Sequence, residues 1–272
     1  MSVELQGRTM VVVGGSSGIG RRLAADAAAA GARVLLAGRN REKLTASLSA
    51  GSTGPSSTGP GSTGAGSTGA GSTGAGSTGA GSTGVGSIEA AEVDLADEAS
   101  IAALAEQVGT VDYLVSVANA SANGPLGALE RDAVLAAFDA KVIGAIMLAK
   151  HFGPRFAEGG AMLLFSGIVG WRPSAGKTVT TATNGAVSFL ASALAVELAP
   201  VRVNAVSPGI IDSGAWDSLG EGKQKLFDTT AAKVPARRIG QLADVSSAAL
   251  LALTNPFMTG ETLHVDGGAR FA

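Results

Sequence analysis

Cysteine is missing from the 272-residue chain, which excludes disulfides and thiolate-ligated metal. The only two histidines, His151 and His264, lie too far apart to form a metal-binding motif, so no metal site is expected. His264 falls in a strand-like run and reads as a satisfied structural histidine, and His151 as the exposed end of a helix. Aromatic residues make up 4% of the chain, and tyrosine occurs once, as Tyr113 in the apolar run VDYLVSV. The formal charge is −2 and no basic stripe stands out, which argues against nucleic acid as a partner. The start MSVELQGRTMVVV lacks a basic segment ahead of a long apolar core, so no signal peptide is expected. No apolar run reads as long enough to span a bilayer. A cytoplasmic protein without a membrane partner is therefore the expectation.

What is present is an apolar chain carrying one unusual insertion. Residues 51–87 repeat five-residue units of the type GSTGA. Such units have no apolar face to bury and read as a flexible insertion in a tolerant surface loop, native or engineered. The remaining 235 residues suffice for one α/β domain with a sizeable core. Apolar residues reach 46% even with the repeats counted, as expected where helices cover both faces of a parallel sheet. The domain is read as spanning 1–272, interrupted only by the repeat.

Apolar runs at 9–13, 32–38, 88–93, 111–118, 161–166, 201–207 and 261–266 read as strands. Helical stretches separate them at roughly 21–31, 100–108, 128–156 (broken near Gly153-Pro154), 178–198 and 243–253, with a further short helix after Asn40. This alternation implies a single Rossmann-type, doubly wound parallel sheet with helices on both faces.

The first strand runs into Gly14-Gly15-Ser16-Ser17-Gly18-Ile19-Gly20, which opens a helix. Glycines at 14, 18 and 20 permit a tight turn. A helix N-terminus offers free N–H groups and a positive dipole end to a pyrophosphate. Ser16 and Ser17 add hydroxyl donors. At the end of the second strand, a carboxylate would hold a ribose 2′-hydroxyl, but Gly38-Arg39 stands there. A guanidinium suits a 2′-phosphate, so NADP(H) is favoured over NAD(H).

Together VVVGGSSGIG (11–20), VLLAGR (34–39), VDLAD (93–97), FDAKVIGA (138–145), ELAPVRVNAVSPG (197–209) and MTGETLHVDGG (258–268) resemble the short-chain dehydrogenase/reductase family along nearly the whole chain outside the repeats. The resemblance implies that Asp94 and Leu95 meet the adenine. It places Ala118 and Asn119 on the ribose side, where the family's NNAG reads SVAN. Pro208, Gly209, Ile211 and Ser213 would then contact the nicotinamide end.

Members of that family use an Asn-Ser-Tyr-Lys set to move a proton while hydride passes at the nicotinamide. Alignment puts Lys141 at the asparagine position, Gly167 at the serine position with Ser166 just before it, Thr180 at the tyrosine position and Asn184 at the lysine position. All four differ, and no tyrosine follows residue 113. The candidate catalytic set is therefore Ser166, Thr180, Asn184 and Lys141. A helix starting by Lys177 would put Lys177, Thr180, Thr181 and Asn184 on one stripe. The segment 212–238, with Trp216, Leu219 and Phe227, reads as a lid, and Trp171 and Ile168 are expected to face it. The substrate would be a small molecule, apolar or aromatic in part.

The run GAVSFLASALAVEL (185–198) is apolar or small on nearly every face, which suggests an interface in a homodimer or homotetramer. Two functional readings stand side by side. One is an atypical NADP(H)-dependent oxidoreductase acting on a carbonyl or alcohol with a rearranged site. The other is an NADP(H)-binding pseudoenzyme or regulator without redox turnover.

Overall fold

A computed structural model describes residues 5–15, 18–42, 44–45 and 86–272. Ser16, Ser17 and nearly all of the repeat tract lie outside the described residues, as does much of the short helix expected after Asn40. Within the described residues the chain alternates strands with helices. The first part runs β1 (Thr9–Val13), α1 (Gly18–Ala29), β2 (Arg33–Gly38), β3 (Ser87–Glu92), α2 (Glu98–Val108) and β4 (Val111–Ser116). Next come α3 (Arg131–Phe138), a π-helical turn (Asp139–Ile143), α4 (Gly144–Phe152), β5 (Phe156–Phe165), α5 (Thr178–Glu197) and β6 (Arg202–Pro208). The chain ends with β7 (Ile211–Asp212), α6 (Gly222–Lys233), β8 (Gly240–Gln241), α7 (Leu242–Thr254) and β9 (Thr262–Val265).

Seven strands form one sheet in the order β3-β2-β1-β4-β5-β6-β9, and every pairing is parallel. Strands β1, β4 and β6 are built from Val, Leu, Met and Ala runs and are buried almost throughout, as a sheet covered on both faces requires. One face carries a core of Leu104, Leu148, Phe152, Met162, Val187 and Leu194 under α2, α4 and α5. The other carries Met10, Leu23, Leu36, Leu163, Val206 and Leu253 under α1 and α7. Tyr113, 8% exposed, belongs to this second core.

Two expectations need correction. The helix foreseen over 128–156 starts at Arg131 and ends at Phe152, at the break expected near Gly153-Pro154, but it is also interrupted by the π turn at 139–143. One extra residue in a helical turn rotates the register locally, and such turns favour functional sites. Second, α5 has 20 residues with a mean hydropathy of 1.4 and is long and apolar enough to cross a membrane by length and composition. Here its face of Val179, Thr183, Val187, Ala191 and Leu194 packs on β5 and β6. Its apolar character is thus in part that of a core helix, while Phe189 and Val196 stand exposed on its outer side.

Arg202 fastens β6 to the end of α7. Its buried guanidinium donates to the carbonyls of Ala252 (3.1 Å), Leu253 and Gly159 (3.4 Å). A cation meeting the free carbonyls of a helix C-terminus is favoured by the helix dipole as well as by the hydrogen bonds. Replacing Arg202 with Met should lower unfolding stability by about 2–4 kcal/mol, because several buried carbonyls lose their donor. Urea titration checks this; a loss too small to measure would contradict the role.

Candidate active-site cleft

The sheet order places the crevice where β1 and β4 part, at the carboxyl ends of the strands. A cleft of about 1230 Å³ opens there, larger than the roughly 300–1,000 Å³ of a typical small-molecule site. The glycine turn forms its floor. Gly14 has φ +91°, and a Cβ there would lie 2.6 Å from the backbone nitrogen of Ala118, so only glycine lets these two loops touch. Gly18, at φ +56°, starts α1 and would press a Cβ against the Ser213 carbonyl at 3.0 Å. The turn thus ties the first helix to the loop after β6.

Most expected cofactor residues line this one cleft: Gly14, Gly18, Ile19, Gly20, Arg39, Asp94, Leu95, Ala118, Asn119, Pro208, Gly209 and Ser213. Ile211 is the exception. Its side chain is 4% exposed and belongs to the core under α1 and α7, while Ile210 takes the cleft position. Residues on a strand alternate sides, and the onset of β7 decides which isoleucine faces inward.

The four candidate catalytic residues also converge on the cleft. Lys141 sits in the π turn, 8% exposed. Its Nζ donates to the backbone carbonyl of Ser166 at 3.3 Å, and among the described residues no carboxylate forms an ion pair with it. Burial alone brings its pKa from near 10.5 down to about 8.

The Ser166 hydroxyl is not free. It donates to the Asn184 carbonyl at 2.8 Å and accepts from Ser188 Oγ at 3.1 Å. Asn184 is 3% exposed, and its Oδ1 has no hydrogen-bond donor. Its amide fills the space above Gly167, where a Cβ would lie 2.9 Å from Nδ2; a side chain at 167 would force Asn184 to move. Thr180 donates its hydroxyl to Asn123 Oδ1 at 2.7 Å. Asn123 was invisible in the sequence because no motif marks it, and only the fold brings it to α5.

Several neighbours differ from expectation. Lys177 lies at the start of α5 but does not line the cleft, so the foreseen stripe reaches it only through Thr180 and Asn184. Trp171 faces His264 edge-on, with ring centroids 4.6 Å apart. His264 Nδ1 is buried without a partner, so that ring is not the satisfied structural histidine anticipated. His151 is not simply exposed, since its Nε2 lies 3.0 Å from Glu98. Of Trp216, Leu219 and Phe227, only Trp216 lines the cleft, together with its neighbours Ser213, Gly214, Ala215 and Asp217; its indole N–H is bound to the Ile211 carbonyl at 2.9 Å. Leu219 is exposed and Phe227 is buried beside Lys223.

A family model described as enoyl-(acyl carrier protein) reductase matches residues 76–270, and one described as short chain dehydrogenase matches residues 8–54. The chain belongs to the short-chain dehydrogenase/reductase family. It is 30% identical over 268 residues to carbonyl reductase family member 4 of Danio rerio, covering 96% of this chain and 97% of that protein. It is 26% identical to the human 3-oxoacyl-[acyl-carrier-protein] reductase over 96% and 97% of the two chains. A crystal structure of a small-chain dehydrogenase in complex with NADPH superposes with a TM-score of 0.72 at 27% identity, covering 97% of this chain and 99% of that one.

The desolvated ammonium carries a stability consequence. Below pH 8 the Lys141 ammonium is charged in both folded and unfolded chains, and the folded state bears the full desolvation cost. Between about 8 and 10.5 the unfolded chain binds more protons, so this group makes stability rise with pH. Lys141→Met should therefore be more stable than the parent protein at pH 7, by up to about 3 kcal/mol. The gap should narrow towards pH 10. Urea unfolding at the two pH values checks this, and a variant less stable at pH 7 would contradict it.

Proposed function

We propose that the protein is an NADP(H)-dependent oxidoreductase of small carbonyl compounds or the corresponding alcohols, with Lys141 as the cation at the reacting oxygen. The observation that carries this reading is the buried Lys141 ammonium, without an ion-pair partner among the described residues, inside the cleft that holds the glycine turn. The NADPH complex of a structural relative and the reductase names of the sequence relatives support it.

The residues present fit a dinucleotide. The glycine turn and the N-terminus of α1, both in the cleft lining, suit a pyrophosphate. Arg39, at the end of β2, suits a 2′-phosphate. Bound NADP(H) supplies or accepts the hydride. Lys141 polarises the substrate oxygen and holds the proton that this oxygen takes, which an amine with a pKa of about 8 can release near neutrality. Thr180 and Ser166 serve as positioning residues, because their hydroxyl protons are committed to Asn123 and to the Asn184 carbonyl.

A second reading is an NADP(H)-binding protein without turnover. The same two committed hydroxyls favour it, since neither stands ready to relay a proton. In either case we propose assembly as a homodimer or homotetramer through the outer face of α5, where Phe189 and Val196 are 79% and 81% exposed.

Fluorescence titration with NADPH and NADH tests the cofactor. NADPH should bind in the micromolar range and more tightly than NADH, and Arg39→Asp should reverse that order. Failure to bind NADPH would remove both readings. The catalytic assignment has its own test. In the family pattern, asparagine lies on the helix that holds Lys141 and lysine on the helix that holds Asn184, so this chain carries the pair exchanged. Lys141→Asn should abolish carbonyl reduction, and Asn184→Lys should weaken it by crowding two ammonium groups. The double exchange should recover part of the activity, because one cation again faces one amide. Additive losses in the folded double variant would show that Lys141 does not act through its charge in this cleft.

A further inference from the structure

We propose that the cleft recognises a 2-oxo carboxylate, with the Lys141 ammonium bridging the carbonyl oxygen and the neighbouring carboxylate oxygen. The inference rests on the oxidoreductase reading and names its substrate class.

An ammonium has three N–H donors. One of those on Lys141 reaches the Ser166 carbonyl at 3.3 Å, which leaves two for a ligand. Among the described residues the charge has no ion-pair partner. Asp94, Asp132, Asp139 and Asp217 line the same cleft, but none forms an ion pair with Lys141. Asp217 is held by Lys223 at 2.7 Å, and Asp94 accepts the Ala96 N–H at 3.0 Å. No charged group perturbs Lys141; burial alone does. A buried cation facing a neutral carbonyl is costly, and an anion beside it removes that cost.

A simple ketone brings one neutral acceptor and leaves the charge uncompensated. A 2-oxo acid brings two oxygens on adjacent carbons, one of them anionic, which matches two free N–H groups on one nitrogen. Leu135, Ile168 and Trp216 line the cleft as an apolar wall, suited to a short apolar side chain on the acid. The four aspartates that line the cleft disfavour ligands of higher negative charge.

Calorimetric titration of NADP⁺-saturated protein, in which no reduction occurs, tests this with 2-oxobutanoate, its methyl ester and butanone. The acid should bind at least about tenfold more tightly than the ester or ketone, the scale of a charge-assisted hydrogen bond. The preference should vanish in Lys141→Met, and fade in the parent protein as the pH passes about 8 and the ammonium loses its charge. Lys141→Gln repeats the test should the Met variant misfold. Equal affinity for acid and ester would overturn the proposal. So would a preference that survives removal of Lys141, or tighter binding of pentane-2,4-dione than of the acid. A parallel titration with NADP⁺ alone separates the two levels: without cofactor binding the oxidoreductase reading fails, whereas with cofactor binding and no acid preference only the substrate class fails.

Discussion

The site depends on how Ser166 is held. Its N–H donates to Val206 on β6, its carbonyl accepts from Lys141, its hydroxyl donates to Asn184, and Ser188 donates to that hydroxyl. One residue at the end of β5 thereby joins the neighbouring strand, the π turn and α5. It is 6% exposed, so each bond lies in a low-dielectric setting where losing a partner is costly. Lys141 stays folded into the cleft because a backbone carbonyl, fixed by the sheet, gives its ammonium an acceptor. Asn184 is held through its main chain, which leaves its side-chain oxygen unpaired beside Gly167. The arrangement of the cleft is thus set by a serine whose own hydroxyl is committed to the Asn184 carbonyl.

The sheet was legible because buried parallel strands write themselves as runs such as MVVV and VNAV, and because a Gly14–Gly20 turn between a strand and a helix has few other uses. Arg39 and the loop after β6 were legible for the same reason, being fixed by position relative to a strand end. What the sequence hid depends on rotation or on distant partners. The π turn turns Lys141 inward, and nothing local in FDAKVIGA distinguishes it from an ordinary helix. Asn123 meets Thr180 across 57 residues. Ile210 and Ile211 are chemically identical, so their assignment awaited the direction in which β7 leaves the loop. The stacking of Trp171 on His264 joins a loop to an edge strand, and no periodicity could have announced it.

In the proposed reading, a lysine in the π turn with an asparagine on α5 alters more than the address of a charge. An ammonium on α5 would rise along the helix that bears Thr180, ready to tune a donor one turn away. From the π turn it reaches the Ser166 carbonyl at the end of β5, and the only phenol, Tyr113, lies in the core under α1 and α7. In the proposed reading the cation then acts on the ligand itself. That explains why the hydroxyls of Thr180 and Ser166 can be spent on structural hydrogen bonds without emptying the cleft of chemistry.

A charge placed this way is a liability to the free protein, because water solvates an ammonium better than one backbone carbonyl does. The liability disappears when an anion binds, so the free energy lost on folding returns as ligand affinity. Under the proposed substrate reading, the group that destabilises the free fold near neutrality is the one that would favour negative charge in the cleft. A neutral residue at 141 would give a more stable protein and a less discriminating cleft. Retention of a desolvated lysine among apolar walls and otherwise satisfied hydroxyls therefore argues that the position is set by what the cleft receives and not by what the fold requires.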